Sequence, residues 1–305
     1  AIRAQRPDVV WSTYPISTAH MIGASLAKKT GLPWIADFRD PWTNIDFYKD
    51  LRLSSWADAR HKALEQKVLK TASRVVAVTW RSREEFVALC GRQDIAVIPN
   101  GFDDADFTQA QSAVLDADFS IAHIGSMNKD RNPEVFWQAV KAALDEAPDL
   151  KNRLKIRLIG PTDFSVRESV QRYGLQDHTE FIDFVPHAEA VKYQQQSQVN
   201  LLLINNSPNA RTIIPGKLYE YLGSGRPLLA IGPRDSDSAK VIELTKGGAL
   251  HNYEDVQGLK NSILHFFAAY QTGALQGSAE GIQQFTRRHL AGEFAGLLSE
   301  VSPAF

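Results

Sequence analysis

The stretch that decides the fold is Val199–Gly232, which reads VNLLLINNSPNARTIIPGKLYEYLGSGRPLLAIG. It begins with a continuous apolar run that ends at Ile204, passes through a polar loop, and enters a helical pattern that opens at Pro215. Gly223 and Gly225 then precede a second apolar run. Because continuously apolar strands are typical of parallel sheets covered on both faces, the stretch predicts a strand–helix–strand unit of such a sheet.

The same alternation of strand and helix patterns runs through the rest of the chain in two blocks. We therefore expect an α/β protein with two Rossmann-like domains. The segment Asn100–Leu115 has no clear period and is typical of a connector, so residues 1–114 form a first domain with its linker and residues 115–278 a second. A last helix over Ala279–Val301, in the C-terminal segment 279–305, follows a Gly/Ser-rich joint and could pack on either block, including by crossing back to the first domain.

The composition excludes several classes of protein. The chain has 305 residues, of which 44% are hydrophobic, and 34 basic against 35 acidic side chains give a net charge of −1. Such a near-neutral chain is unlike a protein held on nucleic acid by a broad basic face. The single cysteine, Cys90, allows no internal disulfide and indicates a reducing, cytoplasmic compartment. The apolar runs are shorter than the roughly 20 residues that span a bilayer, so we expect a soluble protein, with peripheral contact to a membrane left open.

A candidate anion site lies at the helix start in the deciding stretch. Pro215 and Gly216 open a helix whose free amide groups, with the Lys217 ammonium, can hold a diphosphate. Glu220, one turn further on, can accept both hydroxyls of a ribose. The alternative is that Lys217 and Glu220 form an ordinary surface ion pair at spacing i, i+3 and that the glycines are helix caps.

A second candidate anion site follows another predicted strand. Phe119–Gly125 runs into Ser126 and then Arg131, just before a helix. A glycine at the strand end lets a ligand approach the backbone, and a guanidinium binds phosphate through two hydrogen bonds. The alternative is a solvated loop with unrelated charges. Two strand ends with one cation each favour a nucleoside diphosphate as the ligand.

In the first block, the strand Trp34–Phe38 runs directly into Arg39 and Asp40. Ionisable groups at the carboxyl end of a parallel strand are well placed for binding or acid–base chemistry, although a structural Arg–Asp pair explains the pattern equally well. His20 begins a helix, where a hydrogen-bonded structural role competes with a catalytic one. The eight histidines show no metal-ligand spacing, the D-x-D pairs look like chance, and no P-loop or G-x-G-x-x-G occurs.

The order of motifs is more specific than any one of them. RPDVVWSTYP, STAHMIGASLAKKTGLPWIADFRDPW, VIPNGFD, HIGSMNKDRNP and IIPGKLYEYLGSGRPLL follow one another along the chain. This order resembles the GT-B glycosyltransferases of family 4, especially a bacterial branch that builds surface polysaccharides. The resemblance implies a retaining, metal-independent transfer, without a cofactor, from a nucleotide-diphospho-sugar held mainly by the second domain. It also implies that the first domain, which lacks the family's opening elements here, receives the acceptor.

The resemblance assigns roles to residues of this chain. Glu220 matches the second glutamate of the family's paired-glutamate motif, which binds the nucleotide ribose, and Arg131 matches the basic residue after the second domain's first strand. Lys217 and the amides of Gly216 and Leu218 fall beside the diphosphate, so Arg131 and Lys217 become the expected catalytic residues. Two departures concern the donor sugar.

Those departures are Thr212, at the place of the first glutamate, and Ser126, at the place of an arginine. The donor-binding set expected from sequence is Gly125, Ser126, Arg131, Thr212, Pro215, Gly216, Lys217, Leu218 and Glu220. The acceptor-side set is His20, Arg39 and Asp40. The expected acceptor is a saccharide or a lipid-linked saccharide. Two other functions stay open: a nucleotide-sugar epimerase of the same fold and a non-catalytic nucleotide-sugar-binding subunit.

Overall fold

The computed structural model describes residues 7–108, 113–278 and 280–302, without the side chains of Asp46 and Thr108. The chain divides into two compact units. The first comprises Ala1–Asn100, Thr212–Ile214 and Arg287–Phe305, and the second comprises Gly101–Arg211 and Pro215–Thr286. The boundary between the units after Asn100 falls at the start of the connector that the sequence predicts over Asn100–Leu115, which that prediction counts with the first domain in residues 1–114.

The first unit is built on a parallel sheet with strand order β1-β2-β3-β4. Its strands are β1 (Val10–Thr13), β2 (Trp34–Phe38), β3 (Arg74–Ala77) and β4 (Ile95–Val97). Its helices in chain order are α1 (Ser17–Thr30), α2 (Ser55–Thr71) and α3 (Trp80–Cys90), with a 3-10 helix at Asp46–Leu51. Every residue of β2 is buried, as expected for a central strand covered on both faces.

The last helix, α12 (Arg287–Val301), belongs to this first unit. Its Leu290 and Leu297 pack with Ile35 of β2 and Val76 of β3, which covers one face of the sheet. The single helix expected over Ala279–Val301 is wrong in its first part: a 3-10 helix occupies Ile282–Phe285 and α12 starts only afterwards. The interruption has a packing cause, since Ile282 and Phe285 are both buried. Ala279 itself lies outside the described residues.

The second unit is a six-stranded parallel sheet with strand order β10-β9-β8-β5-β6-β7. Its strands are β5 (Phe119–Ile124), β6 (Leu154–Ile159), β7 (Thr179–Ile182), β8 (Val199–Leu203), β9 (Leu228–Ile231) and β10 (Gly248–His251). Chain order runs outward from β5 through β6 to β7, and from β8 through β9 to β10 in the opposite direction. The order therefore reverses between β5 and β8, which pair with each other.

Helices cover this sheet and connect its strands. In chain order they are α4 (Asp104–Thr108), α5 (Glu134–Glu146), α6 (Pro148–Lys151), α7 (Phe164–Arg172), α8 (His187–Gln196), α9 (Gly216–Gly223), α10 (Asp237–Thr245) and α11 (Val256–Gln271), with 3-10 helices at Lys129–Arg131 and Gln176–His178. The largest core cluster joins Phe119 of β5 to Trp137 of α5 and Phe267 of α11. None of the helices in the described ranges is long and apolar enough to cross a membrane.

The segment that the sequence predicts to be a connector without a clear period contains secondary structure at its start. Phe102 pairs with Thr286 in an isolated β-bridge, and α4 follows at Asp104–Thr108. The rings of Phe102 and Phe107 are both buried and lie 5.7 Å apart, edge to face. These two aromatic anchors tie the start of the segment to the second unit. Apolar side chains spaced five apart gave no periodic signal over so short a stretch.

Candidate functional site

The reversal of strand order in the second unit creates the place where a ligand is expected. In open α/β sheets, ligands bind outside the carboxyl ends of the strands at such a switch point. Gly125 directly follows β5, and Asn205 follows β8 at the same edge. The loop after β8 leads into α9, whose first residues are Gly216 and Lys217.

A tyrosine of α9 ties this helix to the end of β5. The Tyr221 hydroxyl accepts a hydrogen bond from the Ile124 amide (2.9 Å) and donates one to the Ile124 carbonyl (3.2 Å). Tyr221 is fully buried, so both contacts exclude water. These hydrogen bonds hold α9 against the last residue of β5, which directly precedes Gly125.

Gly125 makes room for the Lys217 ammonium. Its φ of +134° suits glycine, and a Cβ at this position would overlap Lys217 Nζ and lie 2.7 Å from Lys217 Cε. Gly160, at the end of β6, has a related role, because its own Cβ would approach the Gly125 carbonyl carbon to 2.9 Å. Two glycines thus let two strand ends and one lysine come together.

Arg131 reaches the same edge from the loop after β5. Its Nε donates to Asn205 Oδ1 (2.6 Å), and its guanidinium also lies 3.5 Å from the Ser126 carbonyl. Burial, followed by the charge of Arg131, lowers the pKa of Lys217, while Glu220 raises it less. The two cations are therefore close enough to repel each other, and burial together with their charges lowers the pKa of His123 beneath them to about 4.

The surface ion pair between Lys217 and Glu220, the alternative left open by the sequence, is not formed. Within the described ranges, neither Lys217 nor Arg131 makes an ion pair with a carboxylate. Glu220 instead accepts a hydrogen bond from Gln194 Nε2 of α8 on its Oε2 (3.1 Å). Two adjacent cations without a carboxylate partner, beside the amides that open α9, form a site suited to a polyvalent anion.

The remaining donor-binding candidates lie in different surroundings. Pro215, Gly216 and Leu218 belong to the second unit, and Pro215 is the residue immediately before α9. Ser126 is exposed in the loop after Gly125. Thr212 is buried and is grouped with the first unit, whereas the other members of the set belong to the second.

A polar cavity of about 480 Å³ opens at the carboxyl ends of β8, β9 and β10. Its lining comes from the three loops that follow these strands and includes Asn206, Arg211, Asn252 and Tyr253. The Tyr253 hydroxyl donates to the Asn205 carbonyl (2.9 Å), and the Asn205 side chain accepts from Arg131. The cavity therefore begins one residue away from the cation site.

The candidates of the first unit have structural partners. Arg39 forms an ion pair with Asp37 (2.6 Å) and donates to the Ile98 carbonyl (3.0 Å), so it joins the ends of β2 and β4. Asp40 is exposed. His20 is completely buried, contacts Ser12 Oγ through Nδ1 (2.8 Å), and has its pKa lowered to about 4 by burial. These contacts favour the structural interpretation of Arg39 and His20.

The sequence patterns missed Gln194, Asn205 and Gly160. Asn205 and Gly160 follow strands at the binding edge, so the rule that selected Gly125 would have found them. Gln194 had no such signal, because a buried glutamine within a helix has no special spacing. No cluster of three or more His, Cys, Asp or Glu side chains suited to a metal ion occurs in the part of the chain that the structure describes.

Comparison with known proteins gives a family domain and a fold. Residues 1–101 match the family model described as the glycosyl transferase 4-like domain. No curated protein sequence matches the chain. Among solved structures, sucrose-phosphate synthase from Thermosynechococcus elongatus is similar with a TM-score of 0.67 at 17% identity, over 98% of this chain and 74% of that one.

Two further structures extend this likeness. HepE from Anabaena, solved with UDP, gives a TM-score of 0.69 at 16% identity, over 95% of this chain and 79% of that one. Trehalose-phosphate synthase from Burkholderia vietnamiensis gives a TM-score of 0.67 at 14% identity, over 99% of this chain and 74% of that one. At this level of identity the likeness establishes the GT-B fold, with its parallel α/β sheets.

Proposed function

We propose that this chain, which has the GT-B fold and whose residues 1–101 match the glycosyl transferase 4-like domain model, is a glycosyltransferase. It transfers a sugar from a nucleoside-diphospho-sugar with retention of configuration. The observation that carries the proposal is the pair of cations, Lys217 and Arg131, at the switch point of the second unit. Held together without a carboxylate partner in the described ranges, they repel each other until an anion binds. A diphosphate supplies that charge.

The nucleoside part of the donor is assigned to Glu220. Its carboxylate lies one helical turn beyond Lys217 on α9, so a ribose attached to a diphosphate at Lys217 comes within reach. HepE has been solved with UDP and with UDP-glucose, which supports a nucleoside-diphospho-sugar as the donor of this chain too.

The cation site then acts on the leaving group. As the bond between the anomeric carbon and the diphosphate oxygen breaks, negative charge grows on the diphosphate. Lys217, Arg131 and the first amides of α9 stabilise that charge more strongly in the transition state than in the bound donor. The acceptor hydroxyl oxygen forms the new bond to the anomeric carbon, and its proton passes to an oxygen of the departing diphosphate. The reaction balances without a protein base or a metal ion.

The polar cavity next to Asn205 provides a place for the donor sugar. Its amide and hydroxyl groups, from Asn206, Asn252 and Tyr253, match the hydrogen-bonding needs of sugar hydroxyls. These groups would bind the donor sugar in place of the first glutamate of the family's motif, since this chain has Thr212 at that position. We propose a saccharide, in lipid-linked form at the cytoplasmic membrane face, as the acceptor, in the synthesis of a cell-surface polysaccharide.

Calorimetric binding of UDP, GDP, ADP, CMP and dTDP tests the donor assignment. We expect one diphosphate to bind and Lys217→Met to weaken it by about 10- to 100-fold, the usual size of a lost hydrogen bond between charged groups. Lys192→Met is the matched control, since Lys192 is an exposed lysine on α8 of the same unit. Equal binding by both variants would overturn the site.

Transfer is tested on this chain with the donor so identified and with candidate lipid-linked acceptors, in EDTA. Retention is read from the anomeric configuration of the product by NMR. Epimerised donor without acceptor would establish the epimerase function instead. Donor binding without transfer or hydrolysis would establish a non-catalytic binding subunit.

A further inference from the structure

Gln194 of α8 is a buried side chain whose contacts are unusual for a core position. Only 2% of its surface is exposed. Its Nε2 donates to Glu220 Oε2 (3.1 Å), while its Oε1 has no hydrogen-bond partner in the described ranges. An unsatisfied buried amide oxygen destabilises the fold, and an apolar side chain of similar length would avoid that loss. Packing alone therefore does not account for a glutamine here.

The backbone around Gln194 is fixed to the same helix that carries Glu220. Asn200 of β8, fully buried, donates from Nδ2 to the Gln194 carbonyl (3.0 Å) and to Ser224 Oγ (3.1 Å). The Ser224 amide in turn donates to the Glu220 carbonyl (2.9 Å). One asparagine thus holds the end of α8 and the end of α9 at a constant separation, so the Gln194 amide and the Glu220 carboxylate stay in register.

The hydrogen bond from Gln194 also defines which part of Glu220 is left for a ligand. Oε2 is engaged by the amide, whereas Oε1 accepts no hydrogen bond within the described ranges. A carboxylate with one oxygen anchored loses its rotation about the last side-chain bond. Its second oxygen and remaining lone pairs then point in one direction, which suits a pair of neighbouring hydroxyls.

We propose that Gln194 is a positioning residue that orients the Glu220 carboxylate toward the cis-diol of the donor ribose. This inference rests on the proposed function, because it requires a ribonucleotide at Glu220. A neutral amide donor orients the carboxylate without cancelling its charge, as a lysine would, or repelling it, as a second carboxylate would. The ionisable groups that interact electrostatically with Glu220 include Lys217 and Tyr221, both on its own helix.

The test compares Gln194→Met with Gln194→Glu in the full chain, using UDP, or the diphosphate selected by the binding panel, and its 2′,3′-dideoxy analogue. We expect Gln194→Met to weaken the ribonucleotide about tenfold, as for one hydrogen bond to a charged group, and the dideoxy analogue hardly at all. A purely structural role would weaken both nucleotides alike.

Gln194→Glu adds a second measurement, the pH dependence of ribonucleotide affinity, which a purely structural role of Gln194 would not change. At low pH the new carboxyl keeps its proton and donates to Glu220, so affinity for the ribonucleotide stays near that of the unchanged chain. As pH rises and both carboxyls ionise, their repulsion turns Glu220 away and affinity falls. Gln195→Glu is the matched control: it adds the same charge on α8, where the amide donates to the Phe107 carbonyl, and we expect no such pH dependence.

The outcomes separate this inference from the proposed function. If the unchanged chain binds no nucleoside diphosphate, or binds the dideoxy analogue equally well, the ribose assignment of Glu220 fails. If it prefers the ribonucleotide and Gln194→Met keeps that preference in full, only the positioning role of Gln194 is overturned. Melting curves of all variants exclude loss of fold as the cause.

Discussion

The Lys217 ammonium occupies the space that a side chain on residue 125 would need, so Gly125 and Lys217 form one structural unit at the end of β5. The contact joins the strand end before the switch point to the helix after it. Glycine is required there for two reasons, its φ of +134° and the overlap of any Cβ with the lysine.

Gly125→Ala should therefore affect nucleotide binding in nearly the same way as a substitution of Lys217. The added methyl displaces Lys217 Nζ, and we expect nucleoside diphosphate affinity to fall about 10- to 100-fold, close to the effect of Lys217→Met. Gly174→Ala is the control, because Gly174 also has a positive φ, of 67°, but no atom lies within 4 Å of its Cβ position. Calorimetry compares the two affinities and melting curves measure the backbone strain of each variant, and equal affinities would contradict the proposed contact.

As pH rises, the affinity for a nucleoside diphosphate should begin to fall at a lower pH than the titration of a solvent-exposed lysine would predict. Burial and Arg131 lower the pKa of Lys217, so the free site loses its ammonium charge at a lower pH than a solvated lysine does. A bound diphosphate favours the charged form and raises that pKa again. We expect proton uptake on binding, measured as a dependence of the calorimetric heat on the buffer, to grow as pH rises above neutrality. Lys217→Arg should abolish it, and an uptake that persists in that variant would assign it to another group.

Acid should destabilise the first unit through His20. Burial lowers the pKa of His20 from 6.5 to about 4, so between these values the unfolded chain binds a proton that the folded chain does not. Stability is therefore lost as pH falls through this window, by about 3 kcal/mol in total at 1.36 kcal/mol per pKa unit. His20→Gln should flatten the acid side of the unfolding curve. His289→Gln, at a half-exposed position, should leave it unchanged, and equal curves for both variants would contradict the prediction.

Arg39 should stabilise the fold of the first unit. Arg39→Met leaves Asp37, with 5% of its side chain exposed, without its cation, and we expect a loss of about 3 kcal/mol in the free energy of unfolding. Arg60→Met, an exposed position on α2, is the control. Denaturant titration measures both. If Arg39→Met unfolds like the control while sugar transfer collapses, Arg39 acts on the acceptor as the sequence also allowed.

Much of the fold follows from local pattern. The apolar run of β2, Trp34–Phe38, and the helix α8, His187–Gln196, were each located to the residue, because burial on both faces and a clear helical period leave few alternatives. The pattern failed at residues 100–108 and 280–286, where the buried rings of Phe102, Phe107 and Phe285 fix short irregular segments. Such contacts join residues far apart in sequence, as in the bridge from Phe102 to Thr286.

The sequence by itself determined the α/β class, the strand ends where ligand groups cluster, and the candidates Arg131, Lys217 and Glu220. Strand-end position is a local property, so a single chain is enough to read it. Only the tertiary structure decided how these side chains pair: Lys217 lies against Gly125, Arg131 binds Asn205, and Glu220 turns to Gln194. Spacing along α9 allowed Lys217 and Glu220 to meet each other. In the described ranges they form no ion pair, because strand order and helix packing bring Lys217 against Gly125 and Glu220 to Gln194 of α8.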